Sequence, residues 1–483
     1  MSHPFVDMHC HPSLKPYGQS FKTKPFGQNS ANRRKKNSIW FYDSPNLFER
    51  GIQMLGGICK FTQADCTTLA YGNTRIICAS LYPIERGFFK NKLGTKLVSD
   101  LGVNFITGVS KARVDYVQDV SNYFEDLERE YDYYKQLDGV PVTTDGGVYS
   151  YKIVQNYQQV ETYLASDDMA ANTLFIVLSI EGLHVLQNSY SDTHKADEAA
   201  IMKNVAALKK WEHKPFFVTL AHHFYNHLCG HAKSFSGLVA NVSDQTFGMD
   251  EGFTPIGKKV VKELLNNKDG KRILVDIKHM SATSRQEYFQ LLQTDFATEN
   301  IPVLVSHGAA NGLRSAKEPV HDGKDTAQKL LDSDINFYDD EILLVAKTKG
   351  VFSLQLDERR IASEATLKNT RHAMFINKIR HYRAELVWNQ VQHIAELLDR
   401  HDLFAWECMA IGSDYDGIIN PLNGFLTAET LQHLQEYLER YVHNYLQGEG
   451  KIKLKSYNQI SASEIVNRLF STNAMEFMRK WYV

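Results

Sequence analysis

The sequence predicts an α/β fold, a (β/α)8 barrel of the TIM type. Three observations predict it: eight short apolar runs, helical spacing between them, and polar residues ending most of the runs. Runs rich in Val, Ile and Leu that alternate with helices are the pattern of a parallel sheet covered on both faces. The first three runs are residues 3–9 (HPFVDMH), 74–82 (TRIICASLY) and 174–181 (LFIVLSIE). Residues 215–222 (PFFVTLAH), 272–279 (RILVDIKH) and 301–307 (IPVLVSH) follow, then 350–356 (GVFSLQL) and 407–414 (ECMAIGSD).

The segments between the runs carry helix signals. Thr254-Pro255 is an N-cap followed by proline at the first helical position. Ile256, Val260, Val261 and Leu264 recur at helical intervals, and Gly270 is expected to close that helix. Ser281 can cap a helix whose Tyr288, Leu291 and Leu292 share a face, and similar spacing spans 196–211, 339–349 and 387–398. A barrel of this kind takes about 250 residues. The chain has 483, so the expectation is one domain over 1–483 with insertions around 13–50, 84–140 and 357–386. The first insertion contains Arg33-Arg34-Lys35-Lys36, read as solvated surface. The second contains YFEDLEREYDYYKQL, read as an extra helix packing on the barrel, with a contact in a homo-oligomer or a pocket lid as alternatives.

Composition narrows the function classes. Lys plus Arg number 54 against 56 Asp plus Glu, a net charge of −2, which argues against a nucleic-acid partner. No apolar run reaches the roughly 18–20 residues of a membrane span. The start, MSHPFVDMHC, lacks the basic segment and apolar stretch of a signal peptide. A cytoplasmic protein without membrane attachment is expected. The six cysteines (Cys10, Cys59, Cys66, Cys78, Cys229, Cys408) form no C-x-x-C pair and read as reduced thiols.

In such barrels the active site sits at the C-terminal ends of the strands. The ends of these runs carry His9 and His11, Glu181, His222, His279, His307 and Asp414. Residues i and i+2 of a strand face one way, so His9 and His11 can grip one cation together. Imidazoles with carboxylates suit Zn²⁺, and also accept Mn²⁺, Fe²⁺ or Co²⁺. Glu181 can bridge two divalent ions, one held by His9 and His11, the other by His279 and His307. Such a pair acidifies water and polarises a carbonyl. Asp414, counted both as a ligand and as a catalytic group, can carry the water's proton, and His222 can contact substrate and stabilise an oxyanion. A hydrolase is expected. The stretch HHFYNHLCGH admits a second reading, in which His223, His227 and His231 share a helical face, against a loop at the pocket mouth. H-E-x-x-H, a P-loop, G-x-G-x-x-G and G-x-S-x-G are absent.

DMHCHPS, IEGLH, TLAH, GFTPIGKKVVKELL with LVDIKHMS, PVLVSH and IGSDYDG occur in the order seen in a known family. The chain resembles the membrane (renal) dipeptidase family of the amidohydrolase superfamily. HIAELL and STNAMEFMRKW resemble that family's closing helices. The resemblance implies a binuclear zinc metallopeptidase that cuts an amide or peptide bond in a small, dipeptide-like substrate. It implies zinc on His9, His11, Glu181, His279 and His307, Asp414 on the catalytic water, and His222 on the transition state. Two departures stand out. The family usually has His-x-Asp where this chain has His9-Cys10-His11. Its carboxylate-binding arginine aligns with Ile335, which leaves Arg314 as the nearby substitute for substrate binding. A lactonase, phosphoesterase or deaminase on the same site, or a non-catalytic barrel, are the alternatives.

Overall fold

Strand β1 (Phe5–Cys10) is buried along its whole length, as expected of a strand enclosed by a barrel on one side and helices on the other. The computed structural model describes residues 4–45, 49, 61–89, 108–166, 172–188, 196–235, 244–321 and 326–483. The other strands are β2 (Thr74–Leu81), β3 (Val142–Thr144), β4 (Gly147–Ile153), β5 (Thr173–Glu181), β6 (Phe217–Thr219), β7 (Leu274–Asp276), β8 (Leu304–Gly308), β9 (Val351–Leu354) and β10 (Met409–Ile411). Eight of them follow one another around the sheet in the order β1-β2-β5-β6-β7-β8-β9-β10. Adjacent members pair in parallel, as in Ile76 against Phe175, Phe217 against Leu274 and Met409 against Phe352.

The first and last strands meet just beyond their paired ends. Asp414 N donates to His9 O and His11 N to Tyr415 O, both at 2.9 Å. Asp7 reinforces this seam by accepting from Ser413 N at 2.9 Å and from the Ser413 hydroxyl. The result is a nearly closed eight-stranded parallel barrel whose strands correspond one for one to the eight apolar runs.

β3 and β4 were not expected. They form an antiparallel hairpin across Asp145-Gly146, and β4 also runs alongside β5, Ser150 against Thr173. Only part of β4 is buried, so its sequence alternates instead of forming an apolar run. The Asp-Gly turn was the available signal.

The Pro255–Leu265 helix begins as expected, with the Thr254 side chain accepting from Gly257 N. It ends at Asn266, however, and Gly270 supplies a left-handed turn (φ 69°) four residues later. Ser281 caps the Ala282–Asp295 helix through Ser284 N. The helix expected over 387–398 runs from Ile376 to Arg400. Its first turns are charged and exposed, and its burial begins only at Arg383.

Glu125, Glu128 and Arg129 of the Tyr123–Lys135 helix face outward while Asp126 and Glu130 are buried against the barrel. Arg34, Lys35 and Lys36 are exposed, and Arg33 pairs with Asp145. Cys10, Cys66, Cys78, Cys229 and Cys408 are free and buried. Cys59 and parts of the first two insertions lie outside the described residues. Among the described residues no helix is long and apolar enough to cross a membrane.

Candidate metal centre

Seven side chains come together at the C-terminal ends of the barrel strands. His9 is on β1 and His11 just past it, Glu181 ends β5 and His307 lies within β8. His222, His279 and Asp414 each sit three residues beyond β6, β7 and β10. His279 (φ 65°) and Asp414 (φ 60°) hold left-handed backbone, a conformation that costs a non-glycine residue free energy and concentrates at functional positions. Gly182, also left-handed at φ 84°, follows Glu181, where an added Cβ would crowd His184 and lie 3.0 Å from His222 Cβ.

Glu181 is the focus. Its carboxylate lies 3.1 Å from His11 Nε2, 3.4 Å from His279 Nε2 and 3.5 Å from the Nε2 atoms of His9, His222 and His307. Asp414 faces the same space, 3.8 Å from His9, 3.7 Å from His11 and 3.9 Å from His307. The His9 and His11 Nε2 atoms are 3.1 Å apart, and the His9 and His307 rings stack at 4.0 Å. Two overlapping ligand groups result, His9–His11–Asp414 and His9–Glu181–His307, with a further histidine cluster at His222–His223–His279.

Burial keeps most of these imidazoles neutral, the form that binds metal. It draws His9 down to about 4 and holds His279 and His307 well below the usual histidine value. His11 and His222 are the exceptions, raised against their burial, His11 to about 9 by Glu181 and Asp414 and His222 by Glu181 and Glu85. The two carboxylates diverge. Burial works to raise Glu181, but His222, His9 and His11 hold it well below the normal range. Burial and then the Glu181 charge push Asp414 well above it. Several nitrogen lone pairs aimed at one carboxylate, with the Nδ1 atoms of His9, His11 and His279 unpartnered, form a donor set that fits divalent cations.

Supporting residues fix this arrangement. Asp276 accepts from Thr219 Oγ1 at 2.7 Å and from Ser306 N at 3.0 Å and the Ser306 hydroxyl, tying β6, β7 and β8 together. The Ser306 oxygen is 2.9 Å from His307 Nδ1, which turns His307 Nε2 inward. Glu85 accepts from His222 Nδ1 at 2.6 Å, from Phe224 N at 3.1 Å and from Tyr82 Oη at 3.1 Å. Asp7 and Asp276 stand inside the DMHCH and DIKH motifs and could have been found there. Glu85, Lys278 and Arg360 were not singled out. Lys278, buried next to His279, donates to Gln355 Oε1 at 2.9 Å and is drawn to about 7 by burial and by Arg360.

Arg314 does not join the group. Its side chain is 48% exposed and its guanidinium engages Glu318 at 2.7 Å, four residues away on the surface. Ile335 is buried. The stretch from His222 to His231 is loop, not helix, so its histidines diverge. His223 packs against His222, His227 meets Tyr225 edge-on and His231 points Nε2 at Gln245 O.

The family model described as "Membrane dipeptidase (Peptidase family M19)" matches residues 131–448. That span includes Glu181, His222, His279, His307 and Asp414 and leaves β1 outside. No curated protein matches the chain. Among solved structures, dipeptidase AC, a metallo peptidase of family M19, aligns over 100% of this chain and 99% of its own at 12% identity and a TM-score of 0.50. A metallo peptidase from Rhodobacter sphaeroides liganded with a phosphinate mimic of the dipeptide L-Ala-D-Ala aligns over 100% of both chains at 12% identity and 0.49. The probable dipeptidase PvdM from Pseudomonas aeruginosa aligns over 87% of this chain and 89% of its own, at 14% identity and 0.49. The first of these agrees with the barrel fold.

Proposed function

The chain belongs to the membrane dipeptidase family and is a metal-dependent, dipeptidase-like hydrolase, and from that premise we propose that it hydrolyses the peptide bond of a small dipeptide-like substrate with two zinc ions. His9 and His11 would hold one ion and His279 and His307 the other, with Glu181 shared between them and Asp414 beside them. Bound there, such ions supply Lewis acidity, acidifying water and polarising the scissile carbonyl. The observation that carries this reading is the convergence of five Nε2 atoms on Glu181 within 3.1–3.5 Å.

The chain's own groups divide the remaining work. Glu181, kept ionised by its imidazoles, supplies negative charge and holds no proton. Asp414, whose carboxyl is pushed upward, takes the proton from the attacking water and returns it to the leaving amine. His222 directs Nε2 into the site while Glu85 fixes Nδ1, so a donor awaits the oxyanion. The whole chain acts as one catalytic domain.

The test has two parts. Metal analysis after purification without chelators should find about two zinc ions per chain, and Glu181→Gln should abolish dipeptide hydrolysis while the folded circular dichroism spectrum persists. Retained turnover in that variant would refute the bridging role.

A further inference from the structure

His223 does no work in the hydrolysis, yet it is supported as firmly as the groups that do. Its Nδ1 is 2.7 Å from the Ser234 hydroxyl. Ser234 is itself held, its hydroxyl accepting from Gln245 Nε2 at 2.6 Å and its carbonyl from the Arg360 guanidinium. His222, the preceding residue, has Nδ1 tied to Glu85 at 2.6 Å. With both Nδ1 atoms engaged, each ring has Nε2 left for another task. A partner on one imidazole nitrogen is the usual support of a histidine whose other nitrogen binds metal.

A third imidazole completes the group. The His279 ring is 4.6 Å from that of His222 and 5.1 Å from that of His223, and one ligand nitrogen from each of the three lies within 4.8 Å of the others. Zinc holds imidazole nitrogens at about 2.0–2.1 Å, so small side-chain turns bring the three onto one ion. Glu181 borders the group, 3.5 Å from His222 Nε2 and 3.4 Å from His279 Nε2. His223 is the outermost member, half-buried and in ring contact with Phe88 and Phe235, while His222 and His279 are buried. Resting on the two-zinc reading, we propose that His222, His223 and His279 form an outer zinc position, an alternative to the inner one bounded by His279 and His307. His279 serves one ion at a time, so the two positions exclude each other. An ion moving outward exchanges His307 for His222 and His223 and keeps His279, with Glu181 alongside. It also takes up the His222 nitrogen that would meet the oxyanion, so hydrolysis stops while the outer position is filled.

Metal content tests this without reference to turnover. Wild-type protein dialysed against a zinc buffer should hold about two ions per chain. His307→Ala breaks the inner position only and should still hold about two, because its second ion settles outward. His307→Ala combined with His223→Ala should lose that ion, and His223→Ala alone should lose none. His307→Leu repeats the comparison if the alanine variant lacks the folded circular dichroism spectrum. Loss of an ion from His307→Ala alone would overturn the proposal, as would a double variant that keeps both. A wild type with a single ion would count against the two-zinc reading, while the comparison of His307→Ala with the double variant still decides the outer position.

Discussion

Glu85 stands in a stretch with no motif, yet its carboxylate grips His222 Nδ1 at 2.6 Å from 137 positions away in the chain. Against burial, Glu181 and then Glu85 raise the His222 pKa. Glu85→Gln weakens that support, so the imidazolium loses its proton at lower pH. The alkaline limb of the pH–rate profile should move toward acid and kcat should fall about 10–100-fold, read by steady-state kinetics at several pH values. At the first motif, His11→Ala should lower the zinc content from two ions to one, measured by atomic emission, because His9 would then hold its ion without a second imidazole. The proposed ligands were legible because each lies at or just past the end of a recognisable apolar run. Glu85 and Arg360 were not, because nothing local marks a residue whose partner lies on a distant loop. Arg314 misled for the same reason: proximity in sequence to His307 says nothing about the direction of a surface side chain.

Short connections between elements control how these groups are aimed. Gly417 sits in the turn after β10 so close to Asp414 that an added Cβ would overlap its carboxylate oxygen. Gly417→Ala should therefore displace Asp414 and reduce kcat/KM at least about tenfold, with little change in the circular dichroism spectrum. The Tyr123–Lys135 helix offers a stability test. Glu130 accepts from the Ser13 hydroxyl at 2.6 Å and from Tyr82 N at 2.9 Å, and burial pushes its carboxyl up to about 7. The folded chain then holds a proton that the unfolded chain releases near 4.5. Stability from this group is complete below that value and is lost as pH rises to about 7. Glu130→Gln should flatten that decline by on the order of 1–3 kcal/mol, measured by urea unfolding of metal-free protein at both ends of the range. Strand runs and caps such as Ser281 were readable because they are local patterns. The end of the Pro255 helix and the length of the Ile376–Arg400 helix were not, since tertiary contacts decide both.

Across the whole molecule, one apolar core extends from Phe5 to Tyr482, and the closing helix returns to the barrel through Phe477 on Phe216 and Tyr482 on Tyr157. In the proposed centre, ligands drawn from the ends of β1, β5, β7 and β8 would make the ions cross-links between distant strands. Chelation should lower the midpoint of thermal unfolding by about 3–10 °C, and zinc should restore it; an unchanged midpoint in calorimetry would remove the ions from the barrel's cohesion. The barrel was legible because its strand pattern repeats eight times. The insertions carry no such repetition, and the β3–β4 hairpin, just past the second of them, stayed hidden because it forms no apolar run.

The seam between β1 and β10 has a consequence for biosynthesis. His9 and His11 leave the ribosome well before Asp414 and the Ser413 that fastens Asp7, with the other strands of the barrel translated in between. A growing chain thus carries imidazoles that no finished cylinder yet encloses, and Asp414 joins them only when the last stave is set beside the first.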